Sequence, residues 1–325
     1  MVLLSMRTGG EALPLRRGGG VLGDALRGRR RQVILKVLAG HLLVLPYLLA
    51  PAHNVMCASL MEAMATTYTF FNHAGGVGKT SMTRDFGYEL AQLGHRVLLV
   101  DFDPQGNLTS FLGAGKWDLK PESTLLAALL EDDLGRVAER LPPALQVHGM
   151  DLYPATIDLA IAEAQLIAKL GRERRLSNLL SQVQDRYDYI LIDSPPSLGT
   201  LTINALVAAD AVIAPVATRF KAIDGLPGLT RMVNELKWVS PQLRFAAFVP
   251  TMFDQRNRHD TDVLEIIREQ LQPLAPVLPP VRYRSADHND ASMDGKPVAV
   301  YKPGSEAAAD IRTVVADFLN LEARA

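Results

Sequence analysis

The sequence predicts an α/β protein with a mostly parallel, twisted sheet flanked by helices on both faces, and three observations carry that expectation. From Tyr68 onward, short apolar runs alternate with segments of helical period, which is the signature of repeated strand–helix–strand units. Two of the runs, Val97-Leu98-Leu99-Val100 and Ile190-Leu191-Ile192, have no polar alternation, as expected of central strands covered on both sides. A glycine-rich turn, Ala74 to Gly78, joins the first apolar run to the first helical segment.

In chain order, strands are expected at Tyr68 to Asn72, Arg96 to Val100, Tyr189 to Ile192, Ala211 to Pro215 and Arg244 to Val249. Helices are expected at Lys79 to Leu93, stopped by Gly94, then at Leu125 to Arg140, Ile157 to Leu170, Arg174 to Asp185 and Thr200 to Ala208. Three more follow, at Gly225 to Leu236, Asp260 to Leu271 and Ser305 to Leu321. With 325 residues and 48% hydrophobic content the chain can bury a large core, and no internal repeat or linker follows Met64. Residues 64–325 therefore read as one domain.

Residues 1–63 read as a separate extension. Residues 1–60 hold eight Lys or Arg against Glu11 and Asp24, whereas the remainder carries 26 basic and 33 acidic groups. The Arg27 to Arg31 cluster, the apolar stretch Val33 to Ala50 and Ala50-Pro51-Ala52 outline a secretory signal, but Lys36, His41 and Pro46 interrupt the apolar run. The expectation is a start assigned too far upstream, with Met61 or Met64 just before the first strand. The acidic body argues against coating nucleic acid by charge alone, so contact with DNA needs a local basic patch. The single cysteine, Cys57, excludes an internal disulfide framework and fits a reducing cytoplasm.

The chemistry is concentrated at Asn72-His73-Ala74-Gly75-Gly76-Val77-Gly78-Lys79-Thr80-Ser81, between a strand and a helix. Gly75, Gly76 and Gly78, around Val77, let backbone N–H groups converge on phosphate oxygens, and the helix starting near Lys79 directs its positive end at the anion. Lys79 is placed to hold β- and γ-phosphates and the Thr80 hydroxyl to ligate Mg²⁺, with Ser81 completing the loop. Two carboxylate motifs follow apolar strands: Asp101-Phe102-Asp103-Pro104-Gln105-Gly106-Asn107 and Asp193-Ser194-Pro195-Pro196-Ser197. Carboxylates at strand ends can serve a metal or orient a water, as phosphoryl transfer requires.

Gly-Gly-Val-Gly-Lys-Thr, Val-Asp-Phe-Asp-Pro-Gln-Gly-Asn and Ile-Asp-Ser-Pro-Pro-Ser resemble the three ATPase motifs of the ParA/MinD family of P-loop NTPases with a deviant phosphate loop. The resemblance extends over nearly all of residues 66–321, including Leu201 to Leu206 and Gly295-Lys296-Pro297. It implies ATP and Mg²⁺ as cofactors, an ATP-dependent homodimer, nonspecific binding of double-stranded DNA, and slow hydrolysis stimulated by a ParB-like centromere-binding partner. By motif position it implies that Lys79 grips the phosphates, that Thr80, Asp193 and Asp103 form the metal set, that Asp103 orients the hydrolytic water, and that Asp101 supports them. Met252 and the backbone near Arg284 are the expected base contacts. The family's second lysine, which reaches the partner's nucleotide, is replaced here by Ala74, leaving Arg84, Lys116 and Lys221 as candidate substitutes.

Arg256, Arg258, Arg282 and Arg284 are the expected DNA contacts, because they cluster in two loop-like segments. A MinD-like positioning switch without DNA is the alternative. Its membrane helix is not expected here, because Asp310 to Asn320 carries one basic residue against two acidic ones. The protein is accordingly expected in the cytoplasm, associated with the nucleoid.

Overall fold

The computed structural model describes residues 64–130 and 141–324. The expectations for residues 1–63, and for the helix beyond residue 130, lie outside the described residues.

Seven strands form one sheet in the order β3-β4-β2-β5-β1-β6-β7: β1 Thr66–Phe70, β2 Val97–Asp101, β3 Leu145–Val147, β4 Met150–Tyr153, β5 Tyr189–Asp193, β6 Ala211–Ala217 and β7 Arg244–Thr251. Every neighbouring pair is parallel except β3 with β4. The apolar runs behave as their composition dictates. Leu98, Val100, Ile190 and Ile192 enter one core cluster, whereas Val97, Leu99 and Leu191 enter another, so successive residues of β2 and β5 bury on opposite faces.

The α-helices are α1 Lys79–Gln92, α2 Asn107–Phe111, α3 Leu126–Leu130, α4 Leu159–Leu166, α5 Arg175–Leu180, α6 Thr200–Ala208, α7 Phe220–Leu236, α8 Arg258–Leu271, α9 Ser285–Asp294, α10 Val298–Tyr301 and α11 Glu306–Glu322. Leu159, Ala162 and Leu166 of α4 and Leu201 and Ala205 of α6 cover one face of the sheet. Met82, Phe86 and Leu90 of α1 with Ile311, Val314 and Phe318 of α11 cover the other. The apolar stripe of α11 is thus spent on the core. Gly87 lets α1 approach the sheet, since a Cβ there would lie 2.6 Å from Leu99 Cδ2.

Three elements differ from expectation, and for two of them the physical cause is plain. The hairpin β3–β4 was missed because its strands are three and four residues long; its turn, His148-Gly149, has positive φ at both positions, as a tight two-residue hairpin demands. Helix α7 begins at Phe220 rather than Gly225 and runs through Pro227. Helix α9 was missed because its ten residues bury only Ala291 and so leave no apolar period.

Candidate nucleotide site

The site is assembled where β1, β2 and β5 end together. Parallel register sets Asp101 opposite Asp193 across β2–β5 and Phe70 opposite Asp193 across β1–β5. All three sequence motifs therefore reach one edge of the sheet, where an open α/β fold presents its crevice. Gly76 and Gly78 take φ of 70° and 89°, a left-handed backbone that a Cβ would strain. No heavy atom lies within 4 Å of where a Cβ at Gly75 or Gly76 would stand, so the loop opens onto free space.

Lys79, the first residue of α1, is buried, and its Nζ donates to the carbonyls of Asn72 (2.9 Å) and Ala74 (3.0 Å). Asn72 braces this arrangement by donating to Pro215 O (2.8 Å) and accepting from the Ala74 N–H (3.0 Å). Burial lowers the Lys79 ammonium pKa, opposed by the charges of Asp193 and Asp103. Asp193 is 0% exposed, and among the described residues neither of its carboxylate oxygens has a hydrogen-bond partner of ordinary geometry. Burial raises its pKa well above the ordinary 3.8, with the Asp101 charge adding to the shift and the Thr80 hydroxyl and Lys79 opposing it. An orphaned carboxylate beside a hydroxyl and an ammonium is a costly arrangement unless a cation completes it.

Asp101 and Asp103 differ in their surroundings. Asp101 accepts from the Thr109 N–H (2.8 Å), the Thr109 hydroxyl (2.7 Å) and the Asp103 N–H (3.3 Å), and burial pushes its pKa up to about 6 despite those donors. It is a brace for the segment leading into α2. Asp103 accepts only the Gln105 N–H (2.9 Å) among the described residues and lines a cavity of about 360 Å³ with Gly75, Gly76, Gly78, Lys79, Thr80 and Ser81. Pro196 and Phe111 close its other walls. Val77 is buried, and its carbonyl accepts from Thr251 Oγ1 (2.9 Å).

Met252, at φ 56°, stands between this cavity and a second one of about 200 Å³ that also includes Arg282, Tyr283, Arg284, His288 and Asn289. The two expected base contacts are thus both on its wall. His288 and Asn289 were not anticipated, for the same reason that α9 was not.

The cations divide. Arg84 is fully buried, donating to both Asp85 oxygens (2.8 Å each) and to Ser292 Oγ (2.8 Å), so it cannot stand in for the missing lysine. That expectation is corrected; Lys116 and Lys221 are exposed. The segments holding the four DNA candidates are adjacent, since Tyr283 N–H donates to Phe253 O (2.8 Å). Arg256 (82% exposed) pairs with Asp254 at 3.1 Å, and Arg258 (94% exposed) lies 4.0 Å from Asp262. Arg282 is held by Asp310 (2.7 Å) and Glu306 (3.5 Å), and Arg284 also pairs with Glu306.

A sheet with a phosphate loop at the end of an interior strand, a helix starting at the loop's Lys and Thr, and facing carboxylates defines a P-loop nucleoside triphosphatase. A family model described as "AAA domain" matches residues 65–245. A probable plasmid-partitioning protein ParA of Thermus thermophilus is 43% identical over 242 residues, covering 71% of each chain. The sporulation initiation inhibitor protein Soj of Bacillus subtilis is 40% identical over 238 residues, covering 73% of this chain and 91% of Soj. Among solved structures, a cobyrinic acid a,c-diamide synthase from Mycobacterium smegmatis with bound ADP and magnesium superposes with a TM-score of 0.66 at 32% identity, over 79% of this chain and 95% of that one. The chain belongs to the ParA/MinD family of ATPases.

Proposed function

We propose that this protein is a partition ATPase that binds ATP with Mg²⁺, dimerises on it, binds double-stranded DNA without sequence preference, and is switched off by hydrolysis when a ParB-like partner stimulates it. The observation that carries the nucleotide chemistry is the orphaned Asp193 carboxylate at the end of β5, facing a loop whose Lys79 is parked on two carbonyls. Thr80 and Asp193 would hold the cation, with Asp103 beside them. When bound, the metal neutralises charge on the phosphates and orients them.

The chain's own residues do the rest. Lys79 leaves the Asn72 and Ala74 carbonyls for the β- and γ-phosphates, exchanging neutral acceptors for charged ones. Loop N–H groups and the start of α1 hold the phosphate oxygens. Asp103, with one carboxylate oxygen held by Gln105 N–H, positions the attacking water. Asp101 fixes the segment that carries Asp103. A positively charged group from a second copy, Lys116 or Lys221, takes the place left by Ala74.

Partition is supported by the names of the T. thermophilus relative and of the chromosome partitioning proteins ParA of Myxococcus xanthus and Caulobacter vibrioides, each 37% identical. DNA contact is assigned to Arg256 and Arg258 first and to Arg282 and Arg284 second, in a cytoplasmic, nucleoid-associated protein. No described helix is long and apolar enough to cross a membrane. The test is ATP turnover with and without duplex DNA, at low and raised salt. Stimulation that fades with salt is expected; turnover indifferent to DNA would replace this proposal with a positioning switch that works without DNA.

A further inference from the structure

The second cavity contains a histidine whose two ring nitrogens have different surroundings. His288, on α9, lines the cavity together with Gly78, Ser81, Met252, Tyr283 and Asn289. Its Nδ1 is buried without a hydrogen bond of ordinary geometry among the described residues, and the charged group facing it is Asp85 Oδ2 at 3.5 Å. No hydrogen bond among the described residues engages Nε2, which is not among the buried unpartnered atoms of this cavity-lining residue.

Asp85 is itself held rigidly. Both of its oxygens accept from Arg84 (2.8 Å each), and Oδ1 also accepts from the Val298 N–H (2.9 Å). Burial pushes the Asp85 carboxyl up, but the Arg84 charge and the side-chain donors of His288 and Arg84 outweigh it and hold the pKa at about 2, so Asp85 is ionised near neutrality. The same arginine fixes α9. Arg84 Nη1 donates to Ser292 Oγ (2.8 Å), which donates to the His288 carbonyl (2.7 Å). In the neutral imidazole, a carboxylate facing Nδ1 selects the tautomer with the proton on Nδ1, just as an outer carboxylate orients a metal-bound imidazole. Nε2 is then left as a hydrogen-bond acceptor at the cavity surface.

We infer that His288 is the residue that selects a 6-amino purine over a 6-oxo purine, its Nε2 accepting from the exocyclic amine of adenine and opposing the carbonyl oxygen of guanine. Asn289 offers both a donor and an acceptor and so cannot discriminate alone. Of the other charges lining the cavity, Arg282 is engaged by Asp310 and Glu306, whereas Arg284 pairs with Glu306 through Nη2 and keeps a buried Nε–H without a partner among the described residues, a donor that a ring nitrogen of either purine can accept. Asp85 and Arg84 act through His288 and are positioning residues. The inference rests on the nucleotide site proposed above.

The experiment is equilibrium binding of fluorescent ATP and GTP analogues, with Mg²⁺, to the full chain and to two variants. The wild-type chain is expected to favour ATP by about tenfold or more, the scale of one polar group matched against the same group opposed. His288→Phe should bring the two affinities to within about threefold by weakening ATP and sparing GTP. His288→Gln, whose amide can turn either face, should keep ATP and gain GTP. A His288→Phe chain that retains the wild-type ratio would overturn the inference. Should that variant fail to fold, the wild-type chain titrated with purine riboside triphosphate, which lacks the amine, decides: about tenfold weaker binding than ATP supports His288, and equal binding overturns it. Tight binding without base preference removes this inference alone. Binding of neither nucleotide removes the proposed function with it.

Discussion

Lys79 holds two backbone carbonyls in this structure, and the whole site turns on what it does when phosphates arrive. Lys79→Ala should weaken Mg²⁺–ATP binding by about 100-fold or more, because a charge-assisted contact is lost and the carboxylates of Asp103 and Asp193 lose their partner; titration calorimetry checks it. Asp103→Ala should bind ATP as before while hydrolysis falls by ~10²-fold or more, the usual contribution of a positioned acid–base group. Turnover at the wild-type rate in that variant would withdraw the role given to Asp103. A third residue-scale expectation concerns pH. Asp101 has a folded-state pKa of about 6 against an ordinary 3.8, so the folded chain holds this proton where the unfolded chain releases it. Its contribution is therefore favourable at low pH and is lost as pH rises from about 4 to about 6. The urea midpoint of wild type minus that of Asp101→Asn should fall across that window and level off above it; a difference that rises there would contradict the assignment.

At the scale of elements, the site depends on how closely α1 lies on the sheet. Gly87→Leu would drive side-chain atoms into Leu99, Leu191 and Met150, and should destabilise the fold by roughly 1–3 kcal/mol as overpacking, read as a lowered thermal midpoint. Helix α11, which packs its Phe318 edge-on against Tyr68 and Phe86, is started by Ser305, whose hydroxyl accepts from the Ala308 N–H at 3.1 Å. Much of this element layer was legible in the sequence. Val97 to Val100 and Ile190 to Ile192 declared themselves as central strands because burial on both faces removes every polar position. Helix α9 did not declare itself, since Ser285 to Asp294 packs mainly through polar contacts such as Ser292 with Arg84, which leave no apolar rhythm.

For the whole molecule, the proposed contact with DNA has to be made by a chain that is acidic beyond residue 60. Arg256 and Arg258 project into solvent on the side of the sheet where β7 ends, each facing a single carboxylate across a weak exposed contact. Replacing both with Ala should reduce the slope of log affinity against log salt by about two, since each phosphate contact releases about one counterion. Replacing Arg282 should instead lower stability through Asp310, left without its partner.

The sequence by itself determined the α/β class, the central strands, the phosphate loop and the two carboxylate motifs, because each is written in contiguous residues whose chemistry is local. Arg84 illustrates the limit: along the chain it is one more arginine, and only packing reveals it as a buried brace between α1 and α9. The folded structure alone decided which carboxylate is orphaned and which is satisfied, since Asp101, Asp103 and Asp193 look alike in their motifs but differ in the donors aimed at them: Thr109 of α2 at Asp101, the Gln105 N–H at Asp103, and none among the described residues at Asp193. It alone decided, too, that His288 stands on the cavity wall with Asp85 behind it, for 203 residues of chain separate two groups that meet only when α9 folds back on α1.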